Sequence, residues 1–436
     1  MISAKQIPRL VIVAIMLVMI SVSSNLNWSK DFWKDILEAD AKGNYAYLPA
    51  VFIYHDLNFG FFDKIEKEKY YNKNLFYDYR SQGNGKTIDK YYCGTAIAQL
   101  PFFLIAQVYC KIADIDADGY SKPYPVLMSV AALFYLFIGL IYLLRLLNLY
   151  DIGDLNNAIV LAAAVFGTNI FYYTVGEPGM SHIYSFAFMT MFLYHGKRFF
   201  CQPGERTVYL LAALLALILL IRPLNGIILF SLPFLAGEKS ALKSGLSWFF
   251  AGSRRFVPAV GITMIILAIQ PVIYKISTGY FWVDSYGAEK FNFMQPHLID
   301  ILFSYKKGLF LYTPLLLMSL TGGYFLWRKN RYGFVTLSAF LFLLTYLLSS
   351  WWNWWYGGSF SSRAYVEYIP LFMILLGYSL REIRSRLAWR SFVSIVFVLV
   401  VVCQIQTFQY RYYQIHWENM TNEKYWDVFL RVDKLL

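Results

Sequence analysis

The feature that most constrains this chain is a succession of apolar runs, each close to the length of a helix that crosses a bilayer. They fall at 8–24, 94–112, 124–147, 157–175, 180–195, 207–236, 256–277, 307–327, 333–350, 365–380 and 391–408. Lipid offers no partner for an unpaired backbone N–H or C=O, so a spanning segment must close its own hydrogen bonds over about 20 residues. With 58% of its 436 residues hydrophobic and 15% charged, a soluble chain of this size could not hide its apolar surface. The sequence therefore predicts an all-α polytopic membrane protein with about eleven transmembrane helices, one membrane domain over residues 1–436. No repeat of 20 to 50 residues divides it.

The formal charge of +12 would suit a nucleic-acid partner if it formed a continuous patch. Instead the basic residues concentrate in the short loops KSGLSWFFAGSRR, RKNR and REIRSRLAWR, where they encode orientation as cytoplasmic segments. No nucleic acid is expected. The N-terminal stretch has a basic flank and an apolar core but no small-residue cleavage site, and reads as an uncleaved first span starting in the cytoplasm. That sidedness places four polar segments outside: a first loop at 25–92, loops at 278–306 and 351–364, and the tail 409–436. The first loop balances ten basic against ten acidic residues, so charge counting does not hold it inside. The pair Arg222–Pro223 interrupts the run 207–236, and treating that run as one broken span reconciles both ends of the chain with eleven crossings. The four cysteines are scattered, with no zinc spacing and no disulfide framework.

Chemistry concentrates in a few places. Just beyond the first span, EADAKGNYAYLPAVFIYHD (38–56) carries Glu38 and Asp40 and then an aromatic run too short to cross. A carboxylate beside a membrane can take a proton from a hydroxyl or amine, or bind a metal. The plain alternative is an acidic residue in a solvated loop. The run AYLPAVFIY suits an interfacial helix, with Tyr45 and Tyr47 as walls of a site. A second constellation, SSWWNWWYGGSFSSR (349–363), reads first as an interfacial tryptophan belt. A belt leaves Gly357, Gly358 and Arg363 unexplained. Glycines admit a ligand to the backbone, and arginine matches phosphate geometry. Trp355 and Tyr356 offer faces for a sugar or a prenyl chain. In GEPGMSH (176–182), Glu177 and His182 lie between apolar runs, where they must be functional or paired with each other. Arg222 lies inside an apolar run, with an anionic lipid phosphate or snorkelling to the surface as its alternatives. The loop YFWVDSYGAEKF adds Asp284, Glu289 and Lys290. Two strings are discounted. DIDADG (114–119) opens like a calcium loop but meets Pro125 where a bidentate glutamate is needed. GNGKT (83–87) lacks the first glycine of a phosphate-binding loop and reads as a turn.

In this order of parts the chain resembles the GT-C superfamily of integral-membrane glycosyltransferases, which includes protein mannosyltransferases and the aminoarabinose transferases of lipid A. The stretches GNYAYLPAVFIYHDLNF, YYCGTAIAQLPFFL, GEPGMSHIYSF, IRPLNGIILFSLPF and WWNWWYGGSFSSR carry the likeness to its uncharacterised bacterial members. The resemblance implies a GT-C-like bundle in the bacterial inner membrane, with its site facing the periplasm. It implies transfer of a sugar from a polyprenyl-phosphate donor to a lipid, glycan or protein acceptor, with inversion. Asp40 would be the base, with Glu38 as the alternative acid. Arg363 and Arg222 would hold the donor phosphate. No cofactor is required, although a divalent metal is compatible. The sequence departs from the family in having a single Asp with Glu38 near it instead of an adjacent acidic pair, and in ending without a large soluble domain. A transporter or flippase of lipid-linked sugars, and an O-antigen ligase or polymerase, are the competing readings.

Overall fold

The computed structural model describes residues 4–70, 77–431 and 433, so positions 1–3, 71–76 of the first long loop, and 432 and 434–436 of the tail lie outside the described residues. The chain is 71% helical. Its described strands form one antiparallel hairpin, Arg80–Gly83 with Lys86–Asp89. The hairpin's turn is Asn84–Gly85, both at positive φ (51° and 75°), the pairing that two-residue turns favour, and this is the GNGKT string. Among the described residues, six helices are long and apolar enough to cross a membrane: Ile7–Asn27, Gly94–Ile112, Pro123–Asn148, Ser253–Thr278, Arg331–Ser349 and Arg386–Arg411. The class is therefore an all-α membrane protein.

The other five apolar runs are more broken than their hydropathy suggests, with one exception. His182–Cys201 is continuous but carries more polar residues. Asp154–Phe166 is followed by a separate Ile170–Val175. The run 307–327 divides into Leu309–Tyr312, Pro314–Ser319 and Gly322–Lys329. Thr313, preceding a proline, leaves the helical region (φ −129°, ψ 65°) as proline's ring demands. Gly322 is required where it stands, because a Cβ there would lie 1.8 Å from the Leu375 carbonyl oxygen. The run 365–380 begins as the tighter turn Arg363–Tyr368 and continues as Ile369–Glu382.

The break foreseen at Arg222–Pro223 is real. Glu205–Ile221 ends there, Arg222 is extended (φ −150°, ψ 111°), and the chain resumes as Pro223–Ser231 and Leu232–Ala236. Gly94 lets the start of its helix press on the backbone of Leu220 and Ile221, where a Cβ would meet atoms at 2.3 Å. The broken end of one segment is thereby held beside the last residues of the first loop.

One core runs through the bundle, with Pro123–Asn148 packed on His182–Cys201 and Ile7–Asn27 on Asp154–Phe166. A second core caps one end, built from the first loop and the neighbouring helix starts around Tyr45, Phe59, Phe62, Tyr79, Phe103 and Tyr124. The helix Asp40–Pro49 is enclosed by this cap instead of lying on an interface. Tyr45 and Tyr47 are buried, and the exposed apolar residues of the run are Val51 and Phe52. At that same end the segment 278–306 acts as a strap. Ser285 Oγ donates to the Lys90 carbonyl (3.0 Å) and Ser81 Oγ to the Ser285 carbonyl (3.1 Å). Farther along, Phe291 bridges Trp351, and Trp352 N donates to the Lys290 carbonyl (3.1 Å). The tail joins through Lys306 and Glu418 (3.0 Å). All four polar segments expected on one face thus meet at one end. The basic turns meet at the other, where Lys329 pairs with Glu382 (2.6 Å) and Asn330 donates to the Gly237 carbonyl (2.8 Å).

Candidate functional site

Asp40 opens the helix Asp40–Pro49, and the residue before it has an unusual backbone. Ala39 stands at φ 51°, ψ −131°, a region that favours glycine and costs an alanine of the order of 1–3 kcal/mol. Across this kink the two acids keep different company. Glu38 pairs with Lys42 (3.4 Å) and lines a small cavity with Trp33, Glu66 and Tyr120. Asp40 faces the bundle, where its Oδ2 lies 2.7 Å from Arg363 Nη2 and its Oδ1 accepts from the Tyr91 hydroxyl at 2.7 Å. The residue expected to act as base and the residue expected to hold phosphate, one near each end of the sequence, form an ion pair.

The charge state of Asp40 follows from these neighbours. Burial works to raise its pKa, but Arg363, the Tyr91 hydroxyl, Arg222 and Lys90 together outweigh burial and hold it below the usual carboxylate value. The first turn of a helix also favours a negative charge. Glu177 goes the other way. Burial pushes it up to about 7, opposed by Arg363 and the Tyr172 hydroxyl and reinforced by Asp40. One end of the molecule therefore holds an ionised acid and a second acid poised near neutrality around one arginine.

Arg363 is 8% exposed, yet it keeps donors in reserve. Its Nη1 makes a weak contact to Met180 Sδ (3.3 Å) and its Nε is buried without a partner. Arg222 sits on the extended break, its side chain 27% exposed, with Nη1 3.3 Å from Glu367 Oε1. The same carboxyl oxygen lies 3.2 Å from His182 Nδ1. His182 and Glu177 are therefore not each other's partners: Glu177 accepts from Tyr172 (3.1 Å), and His182 belongs to Glu367.

The remaining candidates are placed as follows. Tyr45 donates to the Gly119 carbonyl and packs edge-on against Phe103 and Tyr120, within the cap and away from Asp40's partners. Tyr47 donates to the Tyr91 carbonyl (2.8 Å), bracing the residue whose hydroxyl holds Asp40. In the aromatic loop, Trp355 lies under Lys306, 3.6 Å from ring centroid to Nζ. Tyr356 donates to the Leu348 carbonyl (3.0 Å) and sits close enough to Arg222, Glu367 and Arg363 to sense their charges. Tyr356 and Gly357 are both at positive φ (56° and 64°), which folds the loop back on itself. Gly357 N donates to Asn353 Oδ1 (3.2 Å), and a Cβ on Gly358 would meet Trp417 at 3.4 Å.

Three members of the constellation escaped sequence reasoning. Glu367 is fully buried, and its signal was present as the one acid within an apolar run. Tyr91 looked like an interfacial tyrosine at a helix start. Its hydroxyl also contacts that of Tyr77 (2.5 Å). Lys307, 2% exposed, donates to the Ser359 carbonyl and lies near Glu177 and Arg363. In DIDADG, Asp116 and Asp118 share the ammonium of Lys69 at 2.6 and 2.8 Å, so a cationic side chain occupies the position a metal reading would fill. No family model and no curated protein matches this chain.

Proposed function

We propose that this protein is a membrane glycosyltransferase with a GT-C-like architecture, moving a sugar from a polyprenyl-phosphate donor to a lipid, glycan or protein acceptor on the extracytoplasmic face. The observation that carries the reading is the contact of Asp40 with Arg363, flanked by Arg222, at the end of the bundle remote from the basic loops. An acceptor O–H or N–H attacks the anomeric carbon as the bond from that carbon to the phosphate oxygen breaks. The proton goes to Asp40, and the electron pair leaves on the phosphate, whose growing charge Arg363 and Arg222 neutralise. The anomeric centre inverts. In the structure Arg363 pairs with Asp40 through Nη2. A donor phosphate would compete for its fork and its unpartnered Nε, releasing one carboxylate oxygen toward the acceptor. Burial of these groups strengthens each such interaction.

Asp40→Asn in the purified, reconstituted chain should abolish sugar transfer from a polyprenyl-phosphate donor. Arg363→Ala should raise the apparent donor binding constant. Unpairing a buried charge costs about 3–5 kcal/mol, so thermal unfolding must accompany both assays. The variant pair Asp40→Asn with Arg363→Gln removes both charges and separates loss of chemistry from loss of fold. A folded Asp40→Asn protein with normal transfer would exclude Asp40 as base. A second reading rests on the buried pair Glu367 and His182 with the half-buried Arg222 beside it, which suits a proton-coupled transporter of lipid-linked sugars. Movement of a labelled glycolipid between leaflets without a change in its chemistry would favour that reading.

A further inference from the structure

At the opposite end of the bundle lies a cavity of about 330 Å³ that the proposed transfer does not use. Separate elements line it. Tyr150 comes from the turn after Pro123–Asn148, Lys197 from His182–Cys201, Lys329 from the end of Gly322–Lys329, and Arg381 from Ile369–Glu382. The acids nearby do not balance these cations evenly. Glu382 takes both Lys329 and Arg381 (2.6 Å each), while no carboxylate of the described residues lies within ion-pair distance of Lys197. Its ammonium instead rests over the Tyr150 ring, 5.2 Å from the centroid. Asp151 is the acid in the wall, so positive charge stays in excess.

The independent observation is Tyr150 itself. It is only 6% exposed and its ring is fixed by stacking on Phe234 (5.7 Å) and edge contact with Tyr378 (6.1 Å). Its hydroxyl is buried with no hydrogen-bond partner. A buried hydroxyl left unpaired is costly, and here it belongs to a residue in the wall of a polar space, beside a cation with no carboxylate at ion-pair distance among the described residues. Arg381 is held in place by the Tyr150 carbonyl through Nη1, by Glu382 through Nε and by the Tyr378 side chain, over whose ring its guanidinium lies at 4.5 Å. The cavity thus gathers the cations Lys197, Lys329 and Arg381 against one lining carboxylate, Asp151. Its volume suits an anion carrying a small organic substituent.

We propose that this cavity binds a phosphate ester, gripped by the Lys197 ammonium, the Tyr150 hydroxyl and Arg381. The ligand's source is either a phospholipid headgroup of the adjoining leaflet or a soluble phosphate monoester. The site stands on its own geometry and does not depend on the transferase reading.

The test uses the full chain in maltoside micelles, which contain no phosphate, with thermal unfolding as the readout. One arm titrates glycerol 3-phosphate, and the other adds phosphatidylglycerol to the micelle. A saturable rise in Tm in the first arm assigns a soluble ester, and a rise confined to the second assigns a headgroup. In whichever arm responds, Lys197→Met should weaken the midpoint by about tenfold or more, as loss of a charged hydrogen bond predicts. Tyr150→Phe, which keeps the ring packing, should weaken it severalfold while leaving the ligand-free Tm unchanged or raised. Should Lys197→Met fail to fold, Tyr150→Phe decides alone. Absence of a response in both arms, or wild-type midpoints in the folded variants, overturns the proposal.

Discussion

Asp40 is legible as a candidate from position alone, but its chemistry depends on groups that no local pattern reveals. The sequence shows an acid beyond the first span and an arginine at the mouth of a late one. It contains nothing that says they touch, because that contact is set by how two remote segments pack. Tyr91 is the instructive case. At the sequence level it is a tyrosine where tyrosines are common, whereas in the fold its hydroxyl bonds Asp40 at 2.7 Å and its carbonyl is braced by Tyr47. Tyr91→Phe therefore removes a group that lowers the Asp40 pKa. The sign follows. A carboxyl whose folded pKa is depressed contributes stability above its unfolded pKa and loses it as pH falls through the folded value. Removing the hydroxyl raises the folded value, so the acid-side loss of both stability and transfer should begin at higher pH. A hydrogen bond to a charged group is worth about 1.5–3 kcal/mol, an upper bound for this shift. A pH profile of transfer for Tyr91→Phe that overlays wild type would remove Tyr91 from the machinery.

At the level of elements, the sequence located the apolar runs well and their continuity poorly. The boundaries at 94–112 and 124–147 agree with the observed helices within a residue, because long apolar periods leave little choice in lipid. Continuity failed where proline or close packing intervened, as at Thr313–Pro314 and at Gly322 against Leu375. The break at Arg222–Pro223 is the one with a chemical consequence. It removes a residue from the helical ladder and turns its guanidinium toward Glu367. Pro223 opens the next helical turn, a position that proline tolerates, while its ring keeps Arg222 out of the helical region, so the arginine is displayed at the break. Pro223→Ala should leave Tm unchanged or higher while raising the apparent binding constant for the phosphate donor. If donor dependence matches wild type, the break is a packing feature without a part in binding.

The whole molecule is a bundle with two unlike ends, and the ends divide the chemistry. Composition made the bundle legible, and the basic loops made its polarity legible, because both are sums over many residues. The strap was not legible. Residues 278–306 read as a polar connection with scattered charges, yet they tie the first loop to the aromatic loop through Ser285, Lys90, Phe291 and Trp351. Lys90 and Glu289 form an ion pair across the same junction. Each of these bonds is modest alone, and a partly exposed ion pair adds little. Together they hold Asp40 and Arg363 in register from outside the bundle, a role in positioning that needs the strap intact. Gly287 marks where this can be tested, since it lies at positive φ with open space around it. A protease site inserted there should leave the uncut protein active. Cutting it should lower transfer by about tenfold or more, equivalent to about 1.4 kcal/mol in the barrier. Helical content by circular dichroism should be unchanged, because the bundle core does not include the strap's centre. Full activity after complete cleavage would make 278–306 a passive connection and shift the burden of aligning the two charges onto the helices alone.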